Sequence, residues 1–351
     1  MAVITDPAAV REMYIEFAER GVAVPCFCAE NQRTIETILT GVAQVGVEIG
    51  VDDLPITVAF TVNYPGRKQA VNWTSLGDYM LGAKLCLNVV ELLAGPDGPF
   101  RKLRVLTLLD HGQPDADAVL LEEYLDRFSA VMYDASHYPF DVNIRMTAAY
   151  ADRHRHEVAI EGAVDEIVSE GGGAEDKLCT VERAQRFVSE TGVDLIVPNV
   201  GTEHRATAEK AKYHGDLARD ISDAVGKILV LHGTSSLGTH DIERFKDDGI
   251  IKVNIWTRLA RLGGQAVARR TLEDLGNVLS ADEIEGLVDD AMLGTAFRDP
   301  QRIEQQWAGA LGPKLSHFAE VVRRDAWVEA VVPAIKEYLY AFGYANYGAG
   351  S

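Results

Sequence analysis

Short apolar runs that end in a histidine, a carboxylate or an asparagine recur along this chain, and they constrain its fold more than any other feature. Residues 103–109 run into Asp110-His111-Gly112, residues 194–200 into Gly201-Thr202-Glu203-His204, and residues 228–231 into His232-Gly233. Val131-Met132-Tyr133 ends in Asp134, and Ile251-Lys252-Val253 in Asn254. If these runs are parallel strands of one closed sheet, all five polar ends meet at one mouth, where barrels of that kind place their chemistry.

The rest of the pattern agrees. After an amphipathic stretch at 8–20, broken by Gly21, strand-like runs occur at 22–27, 55–60, 103–109, 130–133, 157–160, 195–200, 228–231 and 250–255. They lack in/out alternation and are separated by helix-length stretches such as 184–191, opened by Thr180 and closed by Gly192. That is the pattern of a parallel sheet covered on its outer face. Eight such units predict an α/β chain of the (β/α)8, or TIM, barrel type. We read 1–351 as a single barrel domain, with the barrel at about 8–260 and a helical C-terminal extension at about 261–351. In that extension Ser280-Ala281-Asp282-Glu283 has the form of a capping box. A loop and a helix around 76–93 follow the second strand.

Composition narrows the function classes. The 351 residues are 47% hydrophobic and 25% charged, enough apolar material for a large core. A formal net charge of −19 with no basic stripe argues against nucleic acid as a partner. The start lacks a basic segment followed by an apolar one, and no run of about 18 apolar residues occurs, so a cytoplasmic protein without a membrane partner is expected. Four cysteines with no C-x-x-C pair fit a reducing compartment. Cys26 and Cys28, expected on opposite sides of the first strand, read as two small buried residues.

Three imidazoles with an open fourth position form a common catalytic zinc shell, which polarises a carbonyl or activates water. His111, His204 and His232 fit it, one from each of three strand ends. His137, His154, His156, His214 and His240 lack that placement and read as hydrogen-bonded structural histidines. Asp110 is placed to orient a substrate hydroxyl or carry a proton, with capping of the next helix as the competing reading. Gly171-Gly172-Gly173-Ala174-Glu175-Asp176 joins glycine freedom to two acids, as in a mobile loop that brings a general base over a closed site; a solvent-exposed turn has the same look. Residues 232–236 and Asn254 add N–H groups and hydroxyls near the final strands, the usual phosphate location in this fold, with helix capping by Ser235 or Ser236 as the alternative.

On these residues the chain resembles the class II, zinc-dependent fructose-bisphosphate aldolases and their tagatose-bisphosphate relatives. The likeness runs in order over about 8–260: Gly-Val-Ala-Val-Pro-Cys-Phe at 21–27, Asp110-His111-Gly112, the segment 132–143, Gly-Gly-Ala-Glu-Asp at 172–176, Thr-Gly-Val-Asp at 191–194, Gly-Thr-Glu-His at 201–204, Leu-His-Gly-Thr-Ser at 231–235 and Lys-Val-Asn-Ile-Trp-Thr at 252–257. The resemblance implies that His111, His204 and His232 bind one catalytic Zn2+ per chain. Asp110 would then polarise or protonate the aldehyde oxygen, and Glu175 would move the proton at the carbon being joined. Asp134 and Glu161 would lie in an acidic shell near the metal, and Gly233, Ser235, Asn254 and Thr257 would line the pocket for a phosphorylated ketone. It further implies a reversible aldol step through an enediolate, no lysine Schiff base, a homodimer or homotetramer, and room for a monovalent cation.

The departures from the family pattern concern the substrate. Arg205 stands where the family has glycine after the second zinc histidine, and its planar fork either binds phosphate or carboxylate or fills the pocket. Trp256 replaces an acid, His-Gly-Thr-Ser-Ser at 232–236 replaces His-Gly-Gly-Ser-Gly, Ala163 replaces the second of two acids, and Cys28 replaces an asparagine. The expectation is therefore retained metal chemistry on a ketose phosphate or related sugar other than plain fructose 1,6-bisphosphate. The alternatives are a zinc-dependent barrel hydrolase and a catalytically silent metal-binding relative.

Overall fold

The computed structural model describes residues 3–167, 177–203, 212–234, 237, 239–298, 317 and 321–348. Its strands are β1 (Val24–Cys28), β2 (Pro55–Phe60), β3 (Arg104–Gly112), β4 (Ala130–Tyr133), β5 (Ala159–Ala163), β6 (Leu195–Val197), β7 (Leu229–Leu231) and β8 (Ile250–Ile255). All neighbours pair in parallel, and β8 returns to pair with β1, closing an eight-stranded barrel. The predicted (β/α)8 fold is the one observed. Every strand residue except Arg104 is buried, because helices cover the outside and strands face one another within.

Eight helices alternate with the strands: α1 (Pro7–Arg20), α2 (Gln32–Ile49), α3 (Tyr79–Ala94), α4 (Ala118–Glu123), α5 (Phe140–His154), α6 (Val181–Thr191), α7 (Gly215–Val225) and α8 (Thr239–Arg244). Side chains of Asp6, Asn31, Asp78 and Thr180 accept the orphan N–H groups that open α1, α2, α3 and α6.

The runs at 55–60, 130–133 and 250–255 have the bounds expected of them. β5, expected at 157–160, instead runs through Glu161 to Ala163. It keeps a carboxylate in the barrel interior because Lys252 of β8 meets it, Nζ to Glu161 Oε1 at 2.5 Å, with the two side chains 2% and 1% exposed. The expectation that Cys26 and Cys28 face opposite sides is corrected. Residues two apart on a strand share a face, and Cys28 Sγ lies 3.4 Å from Asp110 Oδ2 inside the barrel, while Lys252 and Asp110 are among the charges that act on Cys26. Both thiols are buried and unbridged.

The chain divides into two compact units, Leu259–Pro333 and the remainder, Met1–Arg258 with Ala334–Ser351. The smaller unit holds most of α9 (Thr257–Glu273), then α10 (Leu275–Val278) and α11 (Ala281–Asp289). α11 opens with the capping box of Ser280 and Glu283, and Gly263 leaves room for the Trp327 ring, which an added Cβ would meet at 2.2 Å. The barrel unit ends in the second half of α12 (Val321–Ala341) and in α13 (Ala345–Gly348). There the Ala23 N–H donates to Phe342 O at 3.1 Å, Tyr344 OH donates to Pro55 O, and Ile335 packs on Gly41. The stretch read as one extension, 261–351, thus contributes to both units. Among the described residues no helix is long and apolar enough to cross a membrane.

Candidate active site

The end of β3 breaks a rule of strands. Neighbouring residues normally point to opposite faces, yet both Asp110 and His111 turn into the barrel. The register of β3 against β4 shifts between Leu109 and Gly112, and within that shift His111 takes a left-handed backbone, φ 51°. A non-glycine residue pays conformational strain there, which is characteristic of functional positions. A bulge of this kind re-aims a side chain.

The imidazoles of His111 and His232 face each other. His111 Nε2 lies 3.2 Å from His232 Nδ1, the rings meet edge to face at 4.8 Å, and both residues are buried. The other nitrogen of His111, Nδ1, lies 2.6 Å from Asp134 Oδ2, and Asp134 is itself held by Ser136 N at 3.1 Å and Oγ at 2.6 Å. Burial pushes the Asp134 pKa up, but the hydrogen bond and charge of His111 more than offset it. Tyr64 stacks on the His111 ring with centroids 4.0 Å apart. His232 is followed by Gly233 at φ 76°, where a Cβ would come within 2.8 Å of Glu203 O. Burial, then the neighbouring His111, pushes the His232 pKa well down, so the ring is neutral and keeps a lone pair for a ligand.

Candidate ligand atoms of Asp110, His111 and His232 all lie within 4.8 Å of one another. Two imidazole nitrogens 3.2 Å apart, one ring braced by a carboxylate on its far side, form the donor set and outer support of a transition-metal site. The residues present therefore fit a metal ion.

Asp110 is fully buried and surrounded by donors. Arg67 Nη2 pairs with its Oδ2, Asn254 Nδ2 donates to its Oδ1 at 2.9 Å, and Cys28 Sγ contacts Oδ2. Burial would raise its pKa, but Arg67, His111, His232 and Lys252 hold it far below the usual carboxylate range. The same surroundings, burial first and Asp110 next, push the Cys28 thiol well up and leave it protonated.

Of the residues named from sequence, the structure brings together Asp110, His111, His232, Asp134 and Asn254. Glu161 is paired with Lys252, and Thr257 begins α9 directly after β8, half-buried. Glu175, His204, Arg205 and Ser235 lie outside the described residues. His154 sits between Glu122 and Glu157 at 2.8 and 3.1 Å, and the half-open His137 is 3.6 Å from Asp115. Sequence reasoning missed Arg67 and Tyr64. A signal existed: they lie just after β2, and every segment that follows a barrel strand lies at the mouth.

Comparison with known proteins adds to this geometry. A family model described as class II fructose-bisphosphate aldolase matches residues 8–308. Over 135 residues, 37% of this chain, it is 39% identical to the 6-phospho-5-dehydro-2-deoxy-D-gluconate aldolase of Shouchella clausii (strain KSM-K16); the match spans 45% of that protein's length. Among solved structures, the fructose-bisphosphate aldolase of Campylobacter jejuni superposes with a TM-score of 0.74 at 17% identity, covering 98% of this chain and 96% of that one. The YdjI aldolase of Escherichia coli K-12 does so with a TM-score of 0.60 at 18% identity, covering 95% and 96%. At such identities the structural likeness concerns the fold.

Proposed function

The chain belongs to the class II fructose-bisphosphate aldolase family, and from that premise we propose that it is a zinc-dependent aldolase, reversibly cleaving a carbon–carbon bond in a ketose phosphate or related sugar. The observation that carries this reading is the convergence of His111 and His232, braced by Asp134, beside an ionised Asp110.

His111 Nε2 and His232 Nδ1 would hold the zinc, with His204 as the third ligand by family resemblance. Bound there, Zn2+ supplies Lewis-acid polarisation of a carbonyl. Asp134 fixes the tautomer of His111, because Nδ1–H donates to its carboxylate and leaves the Nε2 lone pair directed at His232. Asp110, kept as a carboxylate, accepts the proton of the hydroxyl on the carbon that becomes the aldehyde and returns it in the condensation direction. Glu175 moves the proton at the ketone carbon. Gly233, Ser235, Asn254, Thr257 and Arg205 would hold the ketone and its phosphate. Tyr64 would keep the His111 ring in place by stacking on it.

The buried Lys252 plays no nucleophilic part. Burial lowers its pKa, but Glu161, Cys26 and Asp110 raise it further, so it stays an ammonium ion tied to Glu161. A cytoplasmic homodimer or homotetramer is part of the same proposal, as is a substrate other than plain fructose 1,6-bisphosphate, the latter resting on Arg205, Trp256 and Thr234-Ser235-Ser236.

The test is metal content together with cleavage assays on a panel of phosphorylated and unphosphorylated ketoses. About one zinc per chain with cleavage of a ketose is the expected result. Absence of metal after zinc is added back overturns the proposal, and bound zinc with ester hydrolysis but no cleavage moves the chain to the hydrolase reading.

A further inference from the structure

Arg67 is the feature of this mouth that the aldolase reading leaves unused. It comes from a segment built to present it. Thr61, directly after β2, accepts the N–H groups of Gln69 at 3.1 Å and Ala70 at 2.9 Å, and its own N–H donates to Gln69 Oε1 at 3.0 Å. Thr61 Oγ1 donates to Arg67 O, and the Arg67 N–H closes a turn on Tyr64 O at 3.1 Å, with Gly66 at φ 74° supplying the bend. The segment is thus pinned at both ends, and the side chain it delivers is only 10% exposed.

The guanidinium carbon lies 5.9 Å from the ring centre of Tyr64 and 5.9 Å from that of Trp256, while Nη2 pairs with Asp110. Its Nε is buried and finds no hydrogen-bond partner among the described residues. Neutralising Asp110 needs only the Nη2 contact. A second donor, desolvated and without an acceptor among the described residues, is rare in folded proteins and marks the place of an acceptor that arrives from outside. A cationic donor favours an anionic oxygen. The adjacent Asp110 repels a dianion more than a monoanion, which favours a carboxylate over a phosphate.

We propose that Arg67 is a specificity-determining residue whose Nε–H takes a carboxylate oxygen on the aldehyde half of the substrate. The placement on that half rests on the aldolase reading, in which Asp110 serves the aldehyde oxygen. The substrate class is then a keto-sugar acid, whose cleavage releases an aldehyde that carries a carboxylate.

The test separates binding from turnover. The zinc-loaded protein is titrated by calorimetry with 3-hydroxypropanoate, with propane-1,3-diol and with 2-hydroxyethyl phosphate. The carboxylate is expected to bind at least about tenfold more tightly than the other two, the scale of one charge-assisted hydrogen bond. R67M should remove that margin, and R67K, which keeps the charge but not the fork, should restore only part of it. The double variant R67M/D110N leaves no stranded carboxylate and should bind as R67M does, which guards against a misfolded single variant. Equal binding of 3-hydroxypropanoate by wild type and R67M, or an Arg67-dependent preference for the phosphate, overturns the proposal. In condensation with dihydroxyacetone phosphate, R67M should raise KM for 3-oxopropanoate far more than for glyceraldehyde; a parallel rise for both overturns it as well. Exchange of the ketone's carbon-bound proton into D2O needs no aldehyde. Its absence refutes the aldolase reading and the aldehyde-half placement with it, whereas exchange without a carboxylate preference refutes the Arg67 proposal alone.

Discussion

Among the described residues, the Arg67–Asp110 and Lys252–Glu161 ion pairs lie inside this barrel, both nearly closed to water, and they behave oppositely. Arg67–Asp110 sits at the mouth; Lys252–Glu161 sits one layer down, Lys252 preceding Asn254 by two residues on β8. The upper pair joins a strand end to a loop, and its acid also receives Asn254 and Cys28. The lower pair joins two strands, and Glu161 Oε2 has no partner among the described residues. Burial pushes both acids up. At Asp110 the surrounding cations and donors overcome it, whereas at Glu161 Lys252 and His111 do not, and Asp110 adds to the upward push. Burial alone does not set the pKa of an interior acid; the donors and charges turned toward it shift the balance. The mouth therefore keeps a permanent carboxylate available for chemistry, and the layer below spends its pair on filling the core.

The contrast breaks down if the lower pair matters as much for turnover as the upper site. His232→Ala should abolish cleavage and weaken metal binding by roughly a hundredfold or more, read by metal analysis after dialysis. Retained zinc in that variant would remove His232 from the ligand set. Asp110→Asn should slow cleavage by about 10²–10⁴-fold with metal content unchanged, while Glu161→Gln leaves kcat within a few-fold; comparable losses in both would erase the distinction drawn here.

Stability gives the reverse test. Glu161→Gln strands an ammonium ion and should cost roughly 3–5 kcal/mol in denaturant unfolding, whereas E161L/K252M, which removes both charges, should return close to wild type. R67M/D110L should recover stability in the same way yet remain without activity.

How much of this was legible in the sequence depends on what each residue answers to. β2, β4 and β8 were readable because an apolar run bounded by turn residues depends on its neighbours in the chain. β5 was displaced because a strand that keeps Glu161 inside is legible only once Lys252, 91 positions away, is known to meet it. Asp110, His111 and His232 were found because strand ends are local features. Arg67 was missed because Pro65-Gly66-Arg67-Lys68 reads as a solvated turn, and nothing in its spacing reveals an acid 43 positions away. The shared face of Cys26 and Cys28 was legible from strand periodicity and was misread.

The smallest expected effect concerns an ion pair at the other end of the barrel, partly open to water. Glu16 receives Arg104 through two contacts, at 2.5 and 3.0 Å, with side chains 27% and 21% exposed. Burial raises its pKa, but Arg104 and Arg20 lower it more, so the folded value lies below the unfolded one. Its contribution to stability is then complete above the unfolded carboxylate range and is lost as the pH falls through the folded value. The Tm gap between wild type and Glu16→Gln should correspond to at most about 1 kcal/mol near neutrality and close on acidification. A gap that widens in acid would reverse the assigned sign.

The route of the chain through its two units has a consequence for how the protein is made. Ile335, Tyr338, Phe342 and Tyr344, from the last segment of the barrel unit, pack or bond against Gly41, Phe27, Ala23 and Pro55. A ribosome that has delivered all eight strands has still to synthesise Leu259–Pro333 before these residues emerge. Until then the nascent barrel presents uncovered apolar surface at these positions, so translation speed through that interval and access to chaperones bear on its yield more than on that of a barrel closed by its own consecutive units.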